Sequence, residues 1–375
     1  MAHTDKSAVS AALGGMIAMA VGIGIGRFVY TPILPPMIAA LGLSKATAGL
    51  IASANFFGYM AGALGAARAP LPGSKRLWLL GALACSAATT GAMGLDFGLG
   101  WFLAMRFLGG AASALVLILA SALTMDRLAA AGRPGLSALH FAGVGLGIAV
   151  SAVLVASMAH WDTMWLASGA ASAIGLILCR VFLPMGPDRS PPVVVSATSE
   201  RDPRLRHMTL AYGLFGFGYV ITATFLVAIV RSEVPRLESS IWFLVGIGAA
   251  PSVWLWGRLG RRIGTARAFA AAAIVESIGV LASIASAGAL SVSLGAILLG
   301  GTFMGLTALG LTRARELATG DPRRAMAAMT GAFGAGQIVG PLVAGVLSDT
   351  LGGFAVPSVL AAGALVGAAW LAQQR

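Results

Sequence analysis

Charge is scarce in this chain. Only 10% of its 375 residues are Asp, Glu, Lys or Arg, whereas soluble domains carry about 25%, so a surface made mostly for water is excluded. Cysteine is scarcer still: Cys85 and Cys179 both fall inside apolar stretches, which argues against a disulfide scaffold. There are 4 histidines and no His/Cys cluster, so no metal site is expected. No phosphate-cradling G-x-x-x-x-G-K-S/T run occurs. The G-x-G-x-x-G-like runs lie inside apolar stretches with no strand before them, so they read as packing glycines. No cofactor is expected, and the chain does not read as an enzyme.

What is abundant is apolar and small. The chain is 58% hydrophobic and contains 51 glycines, and its mean hydropathy is +0.89. Glycine and alanine let membrane helices approach closely, where packing replaces the hydrophobic effect as the attraction. Apolar stretches of about 20 residues predict twelve spans, at 9–40, 46–68, 77–95, 98–125, 136–159, 163–183, 208–230, 239–259, 266–288, 290–312, 325–348 and 354–372. The expectation is an all-α membrane protein. "MAHTDKSAVS" leads into the first span without a small-residue cleavage site and reads as part of a retained helix. Pro32, Pro35 and Pro36 are expected to kink the outer end of that span.

The polar break at 184–207, "PMGPDRSPPVVVSATSERDPRLRH", divides the chain into six-helix halves at 1–183 and 208–375 joined by a linker. With the N-terminus inside, twenty of the 25 Lys and Arg fall on the cytoplasmic side. Lys45, Arg231 and Arg236 lie on the other, and Arg27 and Arg106 lie within spans. That asymmetry predicts cytoplasmic termini and a cytoplasmic linker. It also explains the net charge of +12 as topology and not as a nucleic-acid footprint. The halves match internally: "GIGRFVYTPIL" with "GFGYVITATFL", "GALGAAR" with "GRLGRRIG", and "FAGVGLG" with "FGAGQIVGP". Duplicated units of this kind place a binding site between the halves near the midplane.

Two six-helix halves with a polar central loop resemble the major facilitator superfamily. "GRLGRRIG" resembles the family's G-x-L-x-x-R-x-G gate motif with Gly260 at the acidic position, and "GALGAARAPLPGSKR" is a more degraded copy. "RFLGGAAS" at Arg106 resembles the fourth-helix R-x-x-x-G motif, which implies a mixed structural and proton-coupling role. "GIGRFVYTPILPPM", "ASANFFGYMAGAL", "LHFAGVGLGIAVSA" and "YGLFGFGYVITATFL" resemble the YbfB/YjiJ branch of the superfamily. The resemblance covers nearly the whole chain. It implies a secondary transporter of the bacterial cytoplasmic membrane, working as symporter or antiporter, and supplies no substrate.

Ionisable groups inside spans are costly and face a cavity or a partner. Arg27 follows Gly22, Gly24 and Gly26. It reads either as an arginine snorkelling to the interface or tying down carbonyls, or as a cationic anchor able to fork onto a carboxylate or phosphate. Arg106 reads as a structural brace against neighbouring backbone or as a coupling residue. His140 is the titratable group of the first half, although a lone histidine also serves as a hydrogen-bonded helix contact. Glu276 lies mid-span, where burial favours the neutral form of a carboxyl, and is a second candidate proton carrier. Uncharged candidates for binding substrate are Tyr30, Thr31, Asn55, Tyr59, Tyr219, Thr222, Thr224 and Gln337. Each could equally join helices. Asn55 and Tyr59, four apart, share a helix face, as do Tyr212 and Tyr219. Trp242, Trp254 and Trp256 are expected to anchor at the interface.

Two buried arginines and no acid in the first-half spans favour a small organic anion, moved by alternating access and possibly coupled to protons. Export of neutral or amphipathic compounds is the alternative, since the remaining cavity candidates are Gly, Ala, Phe and Tyr. A membrane scaffold or sensor is the third class, and the chain offers it no extramembrane domain. The expected partners are the bilayer, a small-molecule substrate and protons, with no nucleic acid, and the chain is expected to act as a monomer.

Overall fold

The computed structural model describes residues 2–68, 72–183, 202–285, 288–318 and 322–374, and all regular structure among them is helical. The path opens with α1 (Ala2–Met19), a π-helical segment (Ala20–Ile25) and α2 (Tyr30–Leu41), then α3 (Lys45–Arg68), α4 (Lys75–Ala92), α5 (Leu99–Ala130), α6 (Ser137–Ala156) and α7 (Trp161–Phe182). The second half holds α8 (Pro203–Glu233), α9 (Glu238–Ile263), α10 (Thr265–Ile284), α11 (Ala289–Leu317), α12 (Pro322–Thr350) and α13 (Ala355–Leu371). Among the described residues, 9 helical stretches are long and apolar enough to cross a membrane, with Ala355–Leu371 a shorter apolar helix. The chain is an all-α membrane protein. The 184–201 part of the expected linker lies outside the described residues.

Contacts divide the chain into two compact units, one of Met1–Gly42 and Ala54–Arg189, the other of Leu43–Ser53 and Ser190–Arg375. In the first, small residues bring backbones together. A Cβ at Gly24 would lie 2.6 Å from the Gly147 Cα and 2.7 Å from the Val144 carbonyl of α6, so only glycine permits that crossing. Gly58 of α3 and Gly110 of α5 play the same part, the former against the Phe107 carbonyl and the latter against that of Asn55. In the second unit, the Asp349 carboxylate accepts the backbone N–H groups of Lys45 at 3.1 Å and Ala46 at 2.8 Å. It thereby caps donors that the first turn of α3 would leave unpaired.

Two expectations need correction. The loss of α-geometry in the first span lies ahead of its prolines, at 20–29. Pro32 falls in the first turn of α2, where an absent N–H costs nothing. Trp242 and Trp256 are buried, not interfacial. Trp256 Nε1 donates to the Gly301 carbonyl at 2.7 Å, and of these three tryptophans Trp254 alone is exposed. An indole whose N–H finds a carbonyl can stay inside a bundle.

Candidate functional site

The site begins where the first span stops being an α-helix. Gly26 N–H bonds to the Val21 carbonyl at 2.8 Å and Phe28 N–H to that of Ile23 at 3.3 Å, both i→i+5, and residues 26–29 form turns before α2 restarts at Tyr30. Gly22, Gly24 and Gly26 are poor helix formers, and they pass close to Val116 of α5, Gly147 of α6 and Ser86 of α4 respectively. Such π-segments are rare and concentrate at functional sites.

Backbone released from the α-ladder still needs partners inside a membrane. Arg106 of α5 supplies them. Its Nη1 donates to the Gly26 carbonyl at 3.4 Å and its Nη2 to the Arg27 carbonyl at 3.2 Å, while its guanidinium lies 4.9 Å over the Tyr30 ring. Asn55 Nδ2 of α3 donates to the Arg106 carbonyl at 2.9 Å. Three helices are thus tied at one level, around a short irregular stretch.

Arg27 points out of that stretch into an aromatic box. Its guanidinium carbon lies 4.4 Å from the Tyr59 ring centre, 4.7 Å from that of Phe56 and 5.6 Å from that of Phe28. The residue is 6% exposed, and its Nε and Nη2 have no hydrogen-bond partner. No ion pair among the described residues involves it. The faces of the guanidinium are therefore covered by π-systems, while two donors of its fork stay open. Two such donors match the two oxygens of a carboxylate or phosphate. Tyr30, Thr31, Asn55 and Tyr59 are all buried.

The second unit gathers a cluster without formal charge. Gln337 Nε2 of α12 donates to the Tyr219 hydroxyl of α8. The Tyr219 ring lies 5.1 Å from Phe215, 5.8 Å from Phe303 and 5.7 Å from Phe333. Gln337 Oε1 and Thr222 Oγ1 are buried without partners. Thr222 follows Tyr219 by three residues and shares its face of α8. Thr224 is also buried, and Tyr212 gives its hydroxyl proton to the Thr307 carbonyl at 3.2 Å.

The two candidate proton carriers have partners of their own. His140 Nε2 lies 3.1 Å from Ser121 Oγ, and its Nδ1 sits against Gly15, beside Thr124. Ser121 is fifteen residues beyond Arg106 on α5, roughly 22 Å along the axis, so His140 is not a neighbour of Arg27. Glu276 is fully buried in α10. Its carboxyl stands beside Thr302 of α11, whose hydroxyl is donated to the Leu298 carbonyl at 2.7 Å.

Sequence reasoning missed Phe28 and Phe56, which complete the box, and Phe303 and Phe333, which flank Tyr219. For Phe56 a signal existed: it precedes Tyr59 by three residues on one helix face. Nothing in the sequence pointed to Phe303 or Phe333, which reach Tyr219 from helices distant in the chain.

None of the curated proteins matches the chain. Among solved structures the fold is similar to that of nucleoside transporter NupG, with a TM-score of 0.72 at 16% identity over 98% of this chain and 100% of that one. A mutant of NupG gives a TM-score of 0.74 at 16% identity, over 96% and 98% of the two chains. At that identity the likeness shows the fold alone. Residues 19–373 match the family described as "Uncharacterised MFS-type transporter YbfB". That match takes in the π-segment, the Arg27 box and the Tyr219 cluster, and this chain belongs to that family of membrane transporters.

Proposed function

We propose that the protein carries a small organic anion across the bacterial cytoplasmic membrane by alternating access, as twelve spans in two six-helix halves, with Arg27 as the anion's anchor. The observation that carries this reading is the buried Arg27 guanidinium, boxed by Phe28, Phe56 and Tyr59 with Nε and Nη2 unpartnered. A buried cation without a counter-charge is costly, and a substrate carboxylate or phosphate would supply the missing partner. Tyr30, Thr31 and Asn55 line the same level and offer neutral contacts. A thermal-shift screen of the purified protein against carboxylates, phosphate esters, sugars, amino acids and nucleosides tests the reading. An anion should raise the melting temperature of the wild type and leave Arg27→Ala unmoved.

A second reading has its own observation. The Tyr219, Gln337 and Thr222 cluster is aromatic and uncharged, which suits a neutral ring-bearing compound such as the nucleosides named for NupG. In that case the screen returns neutral compounds, and Gln337→Ala loses the response while Arg27→Ala keeps it.

The charge asymmetry supports an orientation with both termini and the 184–207 linker in the cytoplasm. Reporter fusions after Asp96, Ser190 and Pro235 are expected to read outside, inside and outside. An outside reading at Ser190 would overturn the orientation.

Coupling to protons is assigned to His140 and Glu276, with Arg106 acting through the shape of the first span. In vesicles with an imposed proton gradient, His140→Ala or Glu276→Gln is expected to abolish uphill accumulation while substrate exchange partly survives. Normal accumulation by both variants would place coupling elsewhere.

A further inference from the structure

The outer face of α4 carries a groove of about 470 Å³ that takes no part in the clusters above. Its walls are Pro72, Leu77, Trp78, Gly81 and Cys85, with Leu115 of α5. Leu77, Trp78 and Cys85 are exposed, so the groove opens to whatever surrounds the first unit. Its floor is Gly81, where a Cβ would meet nothing within 4 Å. The absence of that side chain leaves the hollow.

Three features name the occupant. From Lys75 at the head of α4 to Cys85 is ten residues, about 15 Å of helix, or half of a bilayer's ~30 Å hydrocarbon core. The groove is therefore one leaflet deep. Its mouth is marked as the headgroup level by Trp78, a residue that favours that depth. The Trp78 indole donates to the Pro72 carbonyl at 2.8 Å, which fixes the 72–74 lip against the helix. Lys75 directly follows Ser74, a lining residue at this end of the groove, and shares a helix face with Trp78 and Ala82, three and seven residues on. The lining below is apolar apart from the Cys85 thiol.

We propose that this groove binds one acyl chain of an anionic phospholipid in the leaflet on the side of the 68–75 connection, with the headgroup phosphate at Lys75. The chain replaces the side chain that Gly81 lacks, and the charge at the mouth selects the headgroup. This site is independent of the substrate reading.

The test uses the full chain in detergent micelles mixed with phosphatidylglycerol or phosphatidylcholine of identical acyl chains. Cys85 reports occupancy by its rate of reaction with a maleimide, because Cys179 is fully buried. Phosphatidylglycerol is expected to slow that reaction more than phosphatidylcholine, by roughly fivefold, the effect of one lysine beside an anionic lipid. Lys75→Ala should erase the difference. A Cβ at Gly81 meets no protein atom within 4 Å, so Gly81→Leu should fold as a monodisperse species and retain one lipid fewer in native mass spectrometry. A Cys85 rate equal with both lipids, or a monodisperse Gly81→Leu that keeps every lipid, would overturn the proposal. The maleimide arm needs no substitution and decides the matter even if a variant misfolds.

Discussion

Arg27→Ala is expected to weaken anion binding by roughly 30-fold to several-thousand-fold, the effect of removing one partner from a buried charged contact at about 2–5 kcal/mol. The size of the effect follows from the surroundings. The aromatic rings of Phe56 and Tyr59 exclude water from the guanidinium, so no solvent stands ready to replace it. Arg27→Lys keeps the charge and part of the cation–π attraction but loses the planar pair of donors, and its affinity should fall between those of the other two proteins. Binding measured calorimetrically on monodisperse protein decides the point. Unchanged affinity in a well-folded Arg27→Ala would make this arginine structural and remove the main support for an anionic substrate.

Arg106→Ala should do comparable harm by another route. It strands the Gly26 and Arg27 carbonyls, each at about 1–3 kcal/mol for a buried polar group left unpaired. The variant is expected to melt at a lower temperature and to lose its ligand response, although Arg106 donates to backbone and not to substrate. Arg106→Lys offers one compact ammonium where two carbonyls need two separate donors, so rescue should be partial. A thermal melt of Arg106→Ala that matches wild type would show that the two carbonyls do not depend on this side chain. Wild-type affinity in a destabilised variant would separate holding the fold from holding Arg27.

Much of the architecture was legible because lipid imposes a simple rule, that backbone must satisfy itself within helices. The stretch expected at 98–125 is the helix Leu99–Ala130, and that expected at 290–312 is Ala289–Leu317. The helices outrun the apolar windows because polar residues such as Arg127 and Arg315 continue them into water. The site was legible in its polar members and not in its joinery. Asn55 and Tyr59 share a face by their spacing alone, but nothing local says that Asn55 reaches the Arg106 carbonyl 51 residues away. Alternating glycines at 22, 24 and 26 announced close packing. They did not announce a change of hydrogen-bond register, which depends on how α4, α5 and α6 pack against the chain. His140 was grouped with the arginines on chemistry, and the structure separates them by nearly half the length of α5.

That change of register has a consequence for insertions and deletions. A ring closed i→i+5, as between Gly26 and Val21, encloses one residue more than the ring of an α-helix. Everything past it, Arg27 and Tyr30 included, is set about 100° further round than an unbroken helix would place it. Removing any one residue from 20–25 would let the span anneal into a straight helix while swinging Arg27 away from Phe56 and Tyr59. Length, together with glycine where Gly24 crosses α6, is therefore what this segment must keep, and a relative whose first helix runs straight should align with it only across a one-residue gap.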